Sequence, residues 1–322
     1  MKTYVIHENP EWMPPLRREL ERAGLPWEEI VVTDGCFDLG AAPPEGVFLN
    51  RMSPSSHIRG HMASVDFSRE VLTWLESHGR RVINGSRAFA MEISKVHQLT
   101  ALRAAGLPVP ETIVVSGGAD RHIEAAARLA APFISKPNRG GSGTAVRRFN
   151  SHAEYATFVR SPQFAESIDH VTLLQQFIVA TAPVITRVEI VGGEFQFAMN
   201  ADASHGFDLC PADSCAEADE PAMACPALSD TSGRFWLRED VSEALIDRYV
   251  DFAHANEIDV VGIEFVEDLE GNAITYDVNG TTNYSQRLAH KHGVNGPAAI
   301  VDLLAEEMRR RGWGGTPLAA SA

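Results

Sequence analysis

Cysteine is scarce. Cys36, Cys210, Cys215 and Cys225 are the only four in 322 residues, too few and too irregular for a disulfide framework in a chain of this size. The run Cys210-x4-Cys215-x9-Cys225 matches no standard zinc spacing, so reduced, partly buried thiols are expected. Long apolar runs are missing as well. None approaches the roughly 20 residues that span a bilayer, which argues against a membrane partner. The opening Met1-Lys-Thr-Tyr-Val-Ile-His-Glu has no h-region of a signal peptide, and a cytoplasmic location is the default expectation. Positive charge is short: 28 Lys and Arg against 43 Asp and Glu give a net charge of −15. With no basic face evident, a nucleic-acid partner is excluded. Neither a Walker A loop nor a helix-opening Gly-x-Gly-x-x-Gly occurs, and there is no internal repeat.

What remains is an ordinary globular composition, 44% hydrophobic and 22% charged, long enough for two or three domains. Up to about residue 90, short apolar runs (Tyr4–Ile6, Ile30–Val32, Val47–Leu49) alternate with helical periodicity over Pro15–Ala23 and Ser64–Ser77. A strand at Val82-Ile83 follows. That alternation predicts a doubly wound parallel sheet. The polar loop after Leu49 carries Arg51, His57, Arg59 and His61 beyond a strand's carboxyl end, where open α/β sheets bind ligands. Their cationic or hydrogen-bonding heads suit a substrate carboxylate.

From Met91 the pattern predicts one helix bearing Lys95, capped by Gly106 and stopped by Pro108 and Pro110. A strand at Thr112–Val115 and a helix over Asp120–Ala131 precede Phe133-Ile-Ser-Lys136, which runs into Gly140-Gly141-Ser142-Gly143 and a strand to Phe149. Backbone N–H groups unobstructed by Cβ can wrap polyphosphate oxygens, and a lysine adds a point charge. A strand holding Gln175 to Ile178 follows, then two strands around Gly192-Gly193, the first carrying Arg187. Residues 200–238 read as irregular. A helix over Glu239–Asn256 and a last one over Asn295–Arg311 flank the most informative stretch.

That stretch, Val260 to Asn279, reads as a β-hairpin turning at Glu270-Gly271. Constant-sum pairing sets Phe265 opposite Tyr276 on the apolar side and Glu264 opposite Asp277 on the other. Opposed side chains lie about 4.5–5.5 Å apart at Cβ, where like charges repel. With Asn279 on the face of Asp277, two carboxylates and an amide oxygen suit a hard cation such as Mg²⁺.

The ordered set Lys95, Lys136, Gly140–Gly143, Gln175-Gln176-Phe177-Ile178, Arg187, Glu264 and Asp277-Val-Asn279 resembles the ATP-grasp superfamily. Within it the chain is most similar to the RimK-type α-L-glutamate ligases, from about residue 47 to about residue 305. Asn50-Arg51-Met52, Gly79-Arg-Arg-Val-Ile-Asn84 and Gly106-Leu-Pro-Val-Pro-Glu-Thr112 stand where that family has Pro-Arg-Ile, Gly-x-x-Val-x-Asn and Gly-Ile-Pro-Val-Pro-x-Thr. The resemblance implies an α/β ATP-grasp architecture. An N-terminal α/β domain (1–90) would precede a central lobe (91–178) and a C-terminal lobe (179–312) enclosing ATP, with a disordered tail (313–322).

It also implies roles. Lys95 and Lys136 contact ATP phosphates, and Gly140, Gly141, Ser142 and Gly143 close over the β- and γ-phosphates. Gln175, Gln176, Phe177 and Ile178 form the adenine-binding hinge. Arg187 and Lys136 are catalytic, Glu264, Asp277 and Asn279 hold Mg²⁺ or Mn²⁺, and Asn283 joins the loop residues at the substrate. The activity implied is a carboxylate–amine ligase with an acyl-phosphate intermediate, on small-molecule or peptide substrates, with a homodimer as the family-level expectation. Departures are visible: Glu264 and Asp277 exchange the family's usual Asp and Glu, Gln176 replaces an acid, and Ile185-Thr-Arg187 replaces Asp-x-Arg. Asn283-Tyr284 stand for Ser-Pro. Modification of a ribosomal peptide and a nucleotide-binding module without catalysis are the alternative functions.

Overall fold

A computed structural model describes residues 1–141, 143–204, 234–282 and 293–315. Ser142, Asn283, Tyr284, Cys210, Cys215, Cys225 and the tail beyond 315 lie outside the described residues. Among the described residues the fold is built on three sheets, each placing a different part of one cleft.

The first sheet is parallel, as the alternation of strands and helices implies. It comprises β1 (Lys2–His7), β2 (Trp27–Val31), β3 (Gly46–Asn50) and β4 (Arg81–Ile83) in the order β2-β1-β3-β4. Period-two alternation divides its core. Val5, Val47 and Leu49 pack under α1 (Pro14–Ala23) and α8 (Gly296–Arg310), through Leu16, Leu20, Ile300, Leu304 and Met308. Tyr4, Ile6 and Phe48 face α2 (Ser64–Ser77) and Phe89 of α3 (Ser86–Glu92). The last helix thus covers the first sheet, at the far end of the sequence from it.

The single helix expected from Met91 is two. α3 stops at Glu92 and α4 (Lys95–Ala104) restarts after Ser94, which is extended and whose hydroxyl accepts a hydrogen bond from the His97 N–H (3.2 Å). An N-cap serine in mid-pattern costs the continuous ladder but satisfies the new helix's first turn.

The second sheet is antiparallel, β5 (Thr112–Val115), β6 (Phe133–Pro137), β7 (Arg147–Phe149) and β8 (Thr172–Gln176) in the order β5-β8-β6-β7. α5 (Ala119–Ala126) and α6 (His152–Val159) cover one face through a core of Phe133, Phe149 and Tyr155.

The third sheet is antiparallel and five-stranded. β9 (Val184–Val191) turns at Gly192 and Gly193, both with positive φ (61° and 80°), into β10 (Glu194–Asp202). β11 (Phe235–Arg238), β12 (Val260–Glu267) and β13 (Ala273–Asn279) complete the order β11-β10-β9-β12-β13. Strand pairing therefore reaches into the 200–238 stretch read as irregular. One face packs on α4 and α7 (Glu243–Ala255), burying Val188, Ile190, Ile263, Phe265 and Val278 against Leu99, Leu102, Tyr249 and Phe252. The other face looks into the cleft.

Side-chain amides tie the sheets together. Asn84, after β4, donates to the carbonyls of Val260 (2.7 Å) and Gly280 (2.9 Å) and accepts from the N–H groups of Asp259 and Val260. Gln98 of α4 donates to the Val278 carbonyl at 2.8 Å. Among the described residues no helix is long and apolar enough to cross a membrane.

Candidate active site

The second and third sheets enclose a cavity of about 630 Å³, lined also by Trp12 and by Ser53, Pro54 and Ser55 of the loop after β3. Lys95, Lys136, Gly140, Gly141, Gly143, Gln175, Gln176, Phe177, Ile178, Arg187, Glu264, Asp277 and Asn279 all line it. Residues scattered over 185 positions of sequence are thus brought to one surface.

The hairpin pairs Glu264 with Asp277, as its alternation predicts. One residue later the register slips: Phe265 pairs with Thr275, leaving Tyr276 as the extra residue of a bulge. The expected Phe265–Tyr276 pair does not form. A bulge lets two consecutive residues share a face, so Tyr276 joins Asp277 on the cleft wall while Thr275 is buried. Its hydroxyl donates to Glu264 Oε2 at 3.0 Å. Asn279 Nδ2 lies 3.4 Å from Glu264 Oε1 and 3.3 Å from Asp277 Oδ2. This is an oxygen-rich donor set free of sulfur and imidazole, which fits Mg²⁺. Among the described residues no three His, Cys, Asp or Glu side chains gather for a metal; the hairpin's third donor is an amide.

Cations balance these acids. Lys95 makes a short ion pair with Asp277 Oδ1, both side chains largely buried. Arg187 Nη1 is 3.9 Å from Glu264, and its Nε is held at 2.6 Å by Glu189, whose side chain is 1% exposed. Gly262 of β12, paired with Glu189, leaves the space: a Cβ there would collide with the Arg187 guanidinium. Lys136 donates to the Tyr276 carbonyl at 3.4 Å.

Lys95 and Lys136 are brought together by Asn138. Its carbonyl accepts from Lys95 N–H (3.1 Å) and its Oδ1 from Val96 N–H (2.9 Å), pinning the start of α4 to the end of β6. Asp169 holds the Asn138 amide at 2.6 Å.

The electrostatics follow from burial. Burial opposes ionisation of Asp277, but Lys95 and Lys136 outweigh it and keep its pKa below the usual value. Burial, then Asp277, pushes Glu264 up. Lys136 is lowered to about 7 by burial and by Lys95 beside it, so it gains most from an anionic ligand. Glu92 is raised to about 7, chiefly by burial, although the Gly280 N–H donates to it.

The loop residues go elsewhere. Arg59 and His61 both bind Glu8, whose side chain is 1% exposed, and Arg59 also stacks 4.6 Å over Trp12. Arg51 donates to the Thr282 carbonyl at 3.1 Å. His57 lines a second, smaller cavity. Instead Ser53 and Ser55 of that loop reach the cleft. Sequence reasoning also passed over Glu92, Asn138, Arg148, Glu189 and Tyr276. Only Tyr276 carried a signal, as the alternate residue beside Asp277, and the bulge reversed its face.

Solved structures with the same arrangement of sheets cover nearly the whole chain. D-cycloserine synthetase DcsG superposes with a TM-score of 0.66 at 18% identity, over 94% of this chain and 99% of that one. A RimK domain ATP-grasp protein from Sphaerobacter thermophilus gives 0.61 at 18% over 94% and 99%. The ATP-grasp ligase PsnB, complexed with a minimal precursor, gives 0.63 at 17% over 95% and 99%. The fold is ATP-grasp. In this ATP-grasp fold the described strands of the two antiparallel sheets fall between Thr112 and Asn279, and earlier segments add Lys95, Trp12 and Ser53 to the cleft between them. No protein-family model matches the chain. In sequence, 92 residues are 36% identical to tetrahydromethanopterin:alpha-L-glutamate ligase of Methanosarcina acetivorans, covering 28% of this chain and about a quarter (27%) of that protein.

Proposed function

We propose that the chain is an ATP- and Mg²⁺-dependent ligase that joins a carboxylate to an amine through an acyl phosphate. One observation carries this reading: the ATP-grasp cleft is lined by Lys95, Lys136 and Arg187 together with Glu264, Asp277 and Asn279. Phosphoryl transfer demands mainly positioning and charge neutralisation, and this set supplies both.

Lys95 and Lys136 hold phosphate oxygens, and the Gly140–Gly143 loop covers them. Gln176, which accepts a hydrogen bond from Glu111 N–H at 3.2 Å, and the Phe177-Ile178 backbone form the adenine end. Arg148, 4.1 Å over the Phe177 ring, rigidifies that edge. Glu264, Asp277 and Asn279 would hold Mg²⁺, which would offset the negative charge of the phosphates. The substrate carboxylate attacks the γ-phosphorus beside Arg187; the bond to the β-phosphate oxygen breaks and ADP leaves. The amine then attacks the carbonyl carbon, phosphate departs, and the amine's proton is lost as the amide forms. Enclosure by the glycine-rich loop keeps water from the acyl phosphate.

The similarity to DcsG and PsnB supports both a small-molecule and a peptide substrate. ADP release with Mg-ATP, pooled amino acids and small carboxylates, and hydroxylamine as a generic amine tests the chemistry. Carboxylate-dependent ADP formation, trapped as a hydroxamate and abolished by EDTA, is the expected result. Mg-ATP binding without turnover in this pool points to a peptide acceptor if an added precursor peptide restores turnover, and to a non-catalytic module if it does not.

A further inference from the structure

A second cavity, about 310 Å³, lies on the other side of the glycine-rich loop from the cleft, and Lys136, Gly140 and Gly141 line both. β7 explains how it acquires charge. Consecutive strand residues point to opposite faces. Arg148 lies on Phe177 in the cleft, while Arg147 turns into the second cavity, 4.8 Å over Phe158. Arg139 enters from the loop, directly after the pinned Asn138.

The chain carries a net charge of −15, yet this cavity gathers two arginines. Neither Arg139 nor Arg147 makes an ion pair with a described residue, and the buried Arg139 Nε has no hydrogen-bond partner among them. His57, in the same wall, is hydrogen-bonded to the Pro54 backbone. The cavity's one acid, Glu166, is engaged by His170 at 2.6 Å. Nearby Asp169 is held by Asn138 and Ser167, each at 2.6 Å.

We propose that this cavity binds a small oxyanion, inorganic phosphate, through Arg139 and Arg147. Two arginines match a dianion better than a single carboxylate does, while the Lys136 ammonium is turned to the Tyr276 carbonyl in the cleft. The choice of phosphate rests on the ligase reading, in which it is a product released beside the shared loop. Binding itself needs no catalysis.

Titration of inorganic phosphate into the full chain by calorimetry tests this, with and without a non-hydrolysable ATP analogue and Mg²⁺ to fill the cleft. One phosphate should bind with the analogue present. Arg139→Gln and Arg147→Gln should each weaken it about tenfold, the loss of one charge-assisted contact. The exposed Arg128→Gln should leave it unchanged. Circular dichroism confirms that each variant is folded. No phosphate binding by the folded chain, or binding indifferent to both arginines, overturns the assignment. So does preference for glutamate over phosphate, which would make the cavity a substrate-carboxylate site. Hydroxamate formation reports on the ligase reading separately and is unaffected by any of these outcomes.

Discussion

The hairpin of residues 260–279 and the loop of residues 50–61 look comparable in sequence: each offers polar side chains beside an apolar strand. In the structure they behave oppositely. The hairpin delivers Glu264, Asp277 and Asn279 to the cleft, whereas the loop's Arg59 and His61 turn to Glu8. Strand pairing fixes which side chains share a face, through hydrogen bonds that do not depend on side-chain identity. A loop has no such period. Its cations settle on the nearest buried carboxylate, here supplied by the end of the neighbouring β1, and leave small serines to face the cleft.

The comparison can be broken first at the hairpin. Asp277→Ala should lower ADP formation by about 10³-fold or more, by removing an oxygen donor and the counter-charge of Lys95. Turnover assays on protein shown to be folded would check this; retained turnover would show that the hairpin face is not the reaction's wall. Next, Gly262→Ala places a methyl group into the Arg187 guanidinium. Because a displacement of about 1 Å can cost roughly 10² in rate, kcat should drop by about that factor with the melting temperature little changed.

At the loop, the expected effect is on stability. Glu8→Ala leaves Arg59 and His61 without their carboxylate and should cost on the order of 3 kcal/mol in urea unfolding. It should also raise the KM for the carbon substrate several-fold without changing that for ATP, because Arg59 supports Trp12 and donates to Ser55 at 3.2 Å. An unchanged unfolding midpoint would show that the loop does not depend on this cluster.

The smallest effect sharpens the comparison by pH. His7, next to Glu8, is lowered from 6.5 chiefly by burial, and Glu29 is lowered from 4.5 chiefly by its hydrogen bond to Arg17. Each group takes up its proton at higher pH in the unfolded chain than in the folded one. These two groups therefore lower stability as pH falls, His7 below 6.5 and Glu29 below 4.5, while Glu92 and Glu264, whose pKa values burial raises, act in the opposite direction. Compared by urea unfolding at about pH 7 and about pH 5, His7→Gln should gain stability relative to the parent chain at the lower pH; an unchanged difference would show that His7 does not titrate with folding.

Much of the fold was legible because it rests on local periodicities. The alternation through Val5, Val47 and Val82 announced the parallel sheet, and Gly192-Gly193 announced a turn that needs two positive φ values. The break between α3 and α4 was not, since the apolar spacing continues through Ser94 and only Asn138, 44 residues away, makes the cap worthwhile. Glu189 and Glu92 escaped for a related reason. An acid buried beside an arginine or a backbone N–H looks, in sequence, like any surface carboxylate.

By itself, the sequence determined the three groups of strands, the glycine-rich turn and the pairing of Glu264 with Asp277, all set by residue-to-residue chemistry over short separations. Only the tertiary structure decided that Tyr276 faces the cleft, that Lys95 meets Asp277, and that Arg59 serves Glu8. Each of those outcomes depends on a bulge, a cap or a buried counter-charge contributed by a distant segment, and the free energy of such a contact exists only once the segments are packed.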